Sequence, residues 1–195
     1  MIGNDIVDIA EAKLKSNWQR PRFLDKLFTL KEQLIIENSE NSFYMVWRLW
    51  SMKEAAYKLY TQLNPSRFYN PKAFECEIED TNGIVSYKGF SCYIKTKITS
   101  NYILSEARLK ENRMTSELTS FDSMDSKYQS ESLKINLMER LSKTYSISTS
   151  KLKFSKSNFG IPTVNINSKT INVSLTHHGN FGAFAFYHSC VDRNL

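Results

Sequence analysis

Apolar residues recur at Met45, Leu49, Met52, Ala56, Leu59 and Leu63 in alternating steps of four and three, the stripe of a long amphipathic helix beginning near Ser42. Asn64-Pro65 ends it, since proline lacks an amide proton and biases its predecessor away from helix. Glu54 and Lys58 fall off the stripe and lie one turn apart, so a carboxylate stands beside an ammonium on a face turned away from the core. Upstream, Ile2, Ile6, Val7 and Ile9 surround Asp5 in a short β-type run, and the Pro21 region leads into helical segments around residues 24–28 and 30–37. Downstream, strands are predicted at 74–79, 84–87, 90–98 and 102–107, with a turn at Asn82-Gly83.

The pattern then repeats in kind. Residues 115–132 are rich in Ser, Asp and Glu and are expected to be a linker. Leu133, Leu137, Met138 and Leu141 predict another amphipathic helix, followed by strands at 152–155, 163–166, 171–176 and 181–187. The expected organisation is a first half at 1–115, a linker at 116–132 and a second half at 133–195. No sequence repeat relates the halves, so a duplication would have to be structural.

Composition narrows the class. The 195 residues are 41% hydrophobic and 13% aromatic, enough for a packed core and unlike a disordered chain. A net charge of +6 favours acidic partners, namely nucleic acid, anionic membrane or an acidic protein. The lysines are dispersed and no nucleic-acid-binding motif occurs, which ranks nucleic acid last. No apolar run is long enough to span a bilayer, and Met1-Ile2-Gly3-Asn4-Asp5 lacks the basic start and apolar run of a secretory signal, so a cytoplasmic location is expected. Cys76, Cys92 and Cys190 are odd in number and widely spaced, which suggests buried free thiols instead of disulfides or a zinc site.

Asp5 and Glu54 are hard oxygen donors of the kind Mg²⁺ takes one or two at a time, alongside waters and phosphate oxygens. Each residue also has a plain structural reading: Asp5 as a strand-end or turn residue, Glu54 with Lys58 as a surface pair. Ser174-Leu175-Thr176-His177 offers a polar site facing a phosphate, or a partly buried structural histidine. His177 and His178 are adjacent on a strand, so their rings point to opposite sides and do not share a zinc ion. Asn158-Phe159-Gly160-Ile161-Pro162 reads as a tight turn, and Lys151, Lys153 and Lys156 as either phosphate-holding or solvated. There is no phosphate loop, dinucleotide fingerprint or catalytic triad.

Three separated motifs resemble the 4'-phosphopantetheinyl transferases. Ile2-Gly3-Asn4-Asp5-Ile6-Val7-Asp8-Ile9 is similar to the first strand of holo-acyl-carrier-protein synthases. Trp50-Ser51-Met52-Lys53-Glu54, with the residues through Lys58, resembles the longer surfactin-synthetase-activating type, and residues 173–186 resemble the family's histidine strand and hairpin. Leu27-Phe28-Thr29-Leu30-Lys31-Glu32 is similar to the helix before the metal site, and Cys92-Tyr93-Ile94-Lys95-Thr96 to a later strand of the longer type.

The resemblance implies an α+β fold of two similar helix-plus-antiparallel-sheet halves, a pseudo-dimer circularly permuted relative to the longer type. It implies a monomer, with a homotrimeric short-type synthase carrying an insertion as the alternative. The implied reaction is Mg²⁺-dependent transfer of 4'-phosphopantetheine from coenzyme A to a serine of an acidic apo acyl or peptidyl carrier protein, in fatty acid or secondary metabolite biosynthesis. A noncatalytic carrier-binding relative is the alternative. By position, Asp5 and Glu54 would bind Mg²⁺, Glu54 or a metal-bound water would help deprotonate the serine, Lys58 would stabilise phosphate charge, and Thr176 and His177 would contact the 3'-phosphate end of coenzyme A. Val7 stands where the longer type has a further acid, Ile161 where the family's glycine-lysine-proline turn has lysine, and Glu11 near where short synthases have an arginine facing the carrier.

Overall fold

The computed structural model describes residues 1–68, 70–110 and 114–187. Its first half opens with β1 (Ile2–Asp8), α1 (Ile9–Lys15), α2 (Phe23–Leu27), α3 (Leu30–Glu37) and the long α4 (Ser42–Leu63). A meander follows: β2 (Glu75–Glu79), β3 (Asn82–Tyr87), β4 (Phe90–Ile98) and β5 (Tyr102–Arg108). The second half comprises β6 (Met114–Ser120), α5 (Ser126–Tyr145), β7 (Leu152–Lys156), β8 (Pro162–Ile166), β9 (Lys169–His178) and β10 (Phe181–Tyr187). The fold is α+β, with two antiparallel sheets ordered β1-β5-β4-β3-β2 and β6-β10-β9-β8-β7.

Local chemistry accounts for the boundaries. The Thr29 side chain takes the Glu32 amide while the Glu32 carboxylate takes the Thr29 amide, a capping box that starts α3. Asn41 caps α4 by accepting from the Tyr44 amide. Asp8 ends β1 and caps α1, which the sequence reading did not foresee, accepting from the amides of Ala10 and Glu11.

Two expectations are corrected. Residues 116–132 are no linker: they hold most of β6 and the first turns of α5. β6 reads as polar because Thr, Ser and Glu dominate it, yet its backbone pairs with β10 along its whole length. The turn between β2 and β3 falls at Asp80-Thr81, upstream of Asn82-Gly83. Asp80 takes the left-handed conformation (φ 49°), and the Arg48 guanidinium grips the carbonyls of Asp80 and Asn82. Gly83 lies within β3, where an added Cβ would stand 2.5 Å from the backbone carbonyl oxygen of Glu77 on β2 and 2.7 Å from Met52 Cε, so glycine is needed for the close approach of the neighbouring strand's backbone.

One core lies between α4 and the first sheet, centred on Leu49, Met52, Leu59, Val85 and Ile103. The other joins Leu133, Leu137 and Leu141 of α5 to Phe184 and Phe186. Cys76 and Cys92 are free and buried, and burial holds both thiols high, Cys92 at about 12, so they are inert in the folded chain. Cys190 lies outside the described residues. No helix among the described residues is long and apolar enough to cross a membrane.

The halves meet along the free edge of β1. Amides of Asn4, Ile6 and Asp8 point away from β5, where further strand pairing would use the backbone of another strand. Here side chains of β9 accept them: Ser174 Oγ at 3.0 Å, Thr176 Oγ1 at 3.3 Å and His178 Nδ1 at 3.0 Å. A strand edge buried without partners is costly, so this ladder sets how the second sheet seats on the first.

Candidate active site

Gly3 brings β1 against α4. A Cβ there would collide with the Ala55 carbonyl and stand 2.9 Å from the Leu59 nitrogen, both backbone atoms that cannot yield. Alternation along β1 then turns Asp5 toward the helix, where Lys58 Nζ lies 2.8 Å from Asp5 Oδ1 and donates also to the Asn4 carbonyl at 2.9 Å. Thr176 Oγ1, arriving from the other half, donates to the same Oδ1 at 3.1 Å. Both bonds fall on one oxygen and leave Oδ2 outside the hydrogen-bond set of the described residues. Glu54 stands one turn before Lys58, half-buried, and its charge adds to burial in raising the Tyr57 phenol.

The oxygens here that could hold a hard divalent ion are Asp5 Oδ2 and the carboxylate of Glu54, on the helix that β1 packs against. Among the described residues no group of three or more His, Cys, Asp or Glu side chains converges to form a closed metal cage. An ion held here by two acids would retain coordination positions for water or phosphate.

Lys53 and Glu54 adjoin in sequence and part in space. Lys53 is 1% exposed and salt-bridged at 2.7 Å to the equally buried Glu32, while also donating to the Phe74 carbonyl. Glu32 in turn accepts from the amides of Thr29 and Cys76, each at 2.8 Å. Lys53 thus ties α3, α4 and the approach to β2 together and takes no part in the site.

Thr176 donates its hydroxyl proton to Asp5 and accepts the Ile6 amide with its oxygen. His177 faces the opposite side of β9, with Val173 and Leu175. Burial, then the charges of Lys58, His178 and Lys156, lower its pKa below the ordinary 6.5, so its imidazole is neutral at pH 7.

Positive charge nearby comes from lysines. A cavity of about 220 Å³ between α4, α5 and the β7–β8 turn is lined by Lys58, Lys134 and Lys156 with Phe154, Phe159 and Ile161. Lys134 is held by Glu131 and lies 5.6 Å over the Phe154 ring. The expected tight turn is present: Gly160 has φ 79° and donates to the Ser157 carbonyl at 2.9 Å, and Arg67 holds the Asn158 carbonyl at 3.0 Å. Of Lys151, Lys153 and Lys156, only Lys156 lines this cavity, where Lys58 joins it from α4. Lys134 was missed, its one signal being its place beside the apolar stripe of α5.

The 4'-phosphopantetheinyl transferase superfamily matches residues 1–112 by family model, a stretch that holds Asp5, Glu54 and Lys58 on the elements just described. The chain belongs to that superfamily. Within this transferase the match ends before β6, so Thr176, His177 and the lysines of the cavity's far wall lie beyond it. No curated protein matched the chain.

Proposed function

We propose that this phosphopantetheinyl transferase moves 4'-phosphopantetheine from coenzyme A to a serine of an apo acyl or peptidyl carrier protein, with Mg²⁺ held by Asp5 and Glu54. The observation that carries the reading is the meeting of Asp5, Lys58 and Thr176 at the seam between the halves, beside a lysine-lined cavity. Bound there, the metal would neutralise pyrophosphate charge. Phosphoryl transfer asks a protein mainly for positioning and charge compensation, which explains the absence of a nucleophile in the motifs.

In this reading the serine oxygen attacks the phosphorus on the pantetheine side of the pyrophosphate. The new P–O bond replaces the one to adenosine 3',5'-bisphosphate, which departs, and Glu54 takes the serine proton. Lys58 holds Asp5 and balances charge on the phosphates. Thr176 fixes the rotamer of Asp5, and neutral His177 offers a hydrogen bond toward the 3'-phosphate. Lys134 and Lys156 supply cationic charge beside Ile161, where the family turn carries lysine. One chain supplies both walls of the site, which supports a monomer, and the order of the motifs supports circular permutation relative to the longer type.

Incubation with Mg²⁺, coenzyme A and a panel of apo carrier proteins, read by intact carrier mass, tests this. A gain of one phosphopantetheine is expected with the native protein and none with Asp5→Ala or Glu54→Ala. Lys58→Ala should slow turnover, and His177→Ala should raise the coenzyme A concentration required. Carrier binding without any mass gain across the panel would establish the noncatalytic alternative.

A further inference from the structure

Gln62 belongs to none of the motifs, yet its carboxamide bonds backbone on both halves. Oε1 accepts the Ile2 amide at 3.1 Å, and Nε2 donates to the carbonyls of Ile2 at 2.7 Å and Val173 at 3.2 Å. One donor and two acceptors surround it, a set that a carboxamide matches and a carboxylate does not. Gln62 lies one turn beyond Lys58, as Lys58 lies one turn beyond Glu54, so the three share a face of α4. Lys58 holds the Asn4 carbonyl and Gln62 the Ile2 carbonyl, so the two side chains grip alternate residues of β1. The spacings agree, since four helical residues rise about 6.0 Å and two strand residues about 6.6 Å. Two matched grips fix the register of α4 along β1, and with it the place of Glu54 and Lys58 relative to Asp5.

The bond to Val173 crosses the seam between the halves. Val173 and Ser174 of β9 line the same cavity of about 220 Å³ as Lys58 and Gln62. We propose that Gln62 is a positioning residue for the transfer: by clasping α4, β1 and β9 together it sets the span between the Lys58 wall and the β9 wall, and so how tightly coenzyme A is held. This rests on the cavity being the coenzyme A site of the proposed function. Gln62 acts through Lys58 and β9 and needs no bond to substrate. Ser174, Thr176 and His178 hold the rest of the β1 edge, so loss of Gln62 leaves the seam closed and loosens it only at the cavity.

Two variants of the full chain test this. Gln62→Glu keeps the shape and turns a carboxylate on two carbonyls, and Gln62→Leu removes all three bonds. With Mg²⁺ present, calorimetric titration near pH 8 should give a Kd for coenzyme A about tenfold above native in both, with KM rising in step and kcat changing less than about threefold. Lowering the pH to about 5 protonates the new carboxyl, whose pKa the facing carbonyls raise, and restores one donor and one acceptor. The ratio of Gln62→Glu to native Kd, taken at each pH, should then fall toward one, while that of Gln62→Leu stays high. Kd within about twofold of native in both variants overturns the proposal, as does a Gln62→Glu deficit that pH does not move. A kcat loss at unchanged Kd overturns it too, and so does urea unfolding that finds both variants unfolded under assay conditions, which would make Gln62 a residue of the fold alone. Native protein that binds coenzyme A and modifies no carrier overturns the transferase reading, and the Kd comparison still decides the role of Gln62.

Discussion

Lys53→Met removes one member of an ion pair in which both side chains are 1% exposed. Methionine fills most of the vacated volume, so the cost is chiefly electrostatic: Glu32 is left buried without its counter-charge. Breaking such a pair by deleting one partner costs about 3–5 kcal/mol. The amides of Thr29 and Cys76 still donate to Glu32, which points to the lower end, about 3 kcal/mol. With a urea slope of about 2 kcal/mol per molar, the midpoint should fall by about 1.5 M. Glu32→Gln should cost a similar amount by stranding Lys53. The double variant should cost less than the sum, with a coupling of about 2 kcal/mol. Tryptophan fluorescence is a suitable assay, since Trp18, Trp47 and Trp50 all lie in the first half and report its unfolding. A midpoint loss below about 0.5 M, or single effects that add within about 0.5 kcal/mol, would refute the account of Lys53 as a buried tie.

Gly3→Ala should cost about 2–3 kcal/mol and lower transfer, because the added methyl meets the backbone of α4 and pushes β1 and Asp5 away from Lys58; unchanged stability by urea unfolding would remove the close-approach argument. His177 has a folded pKa below its ordinary 6.5, so the unfolded chain takes its proton first as pH falls. Its contribution to stability is therefore complete above 6.5 and is lost as pH drops toward the folded value. His177→Asn should flatten that part of the stability profile, and an unchanged slope would place the titration elsewhere.

Local pattern was sufficient for much of this molecule. The stripe of α4 and its stop at Asn64-Pro65, the meander strands, Asp5 on a strand and Glu54 one turn from Lys58 all follow from spacing, since helix and strand periods act over a few residues. β6 escaped because an edge strand of Thr, Ser and Glu carries little apolar alternation, and its pairing with β10 depends on residues far along the chain. The acid–ammonium contact of Asp5 with Lys58 and the hydroxyl of Thr176 join positions 53 and 171 residues apart. Only packing could decide that Lys53 turns inward to Glu32 while its neighbour Glu54 is half-buried on another face of α4, or that Thr176 bonds Asp5 while His177 faces away. Sequence determined which side chains were available and on which local face. Tertiary structure decided which of them meet, because burial of α4 against one sheet and of the β1 edge against the other sets which partners Asp5, Lys53, Lys58 and Thr176 can reach.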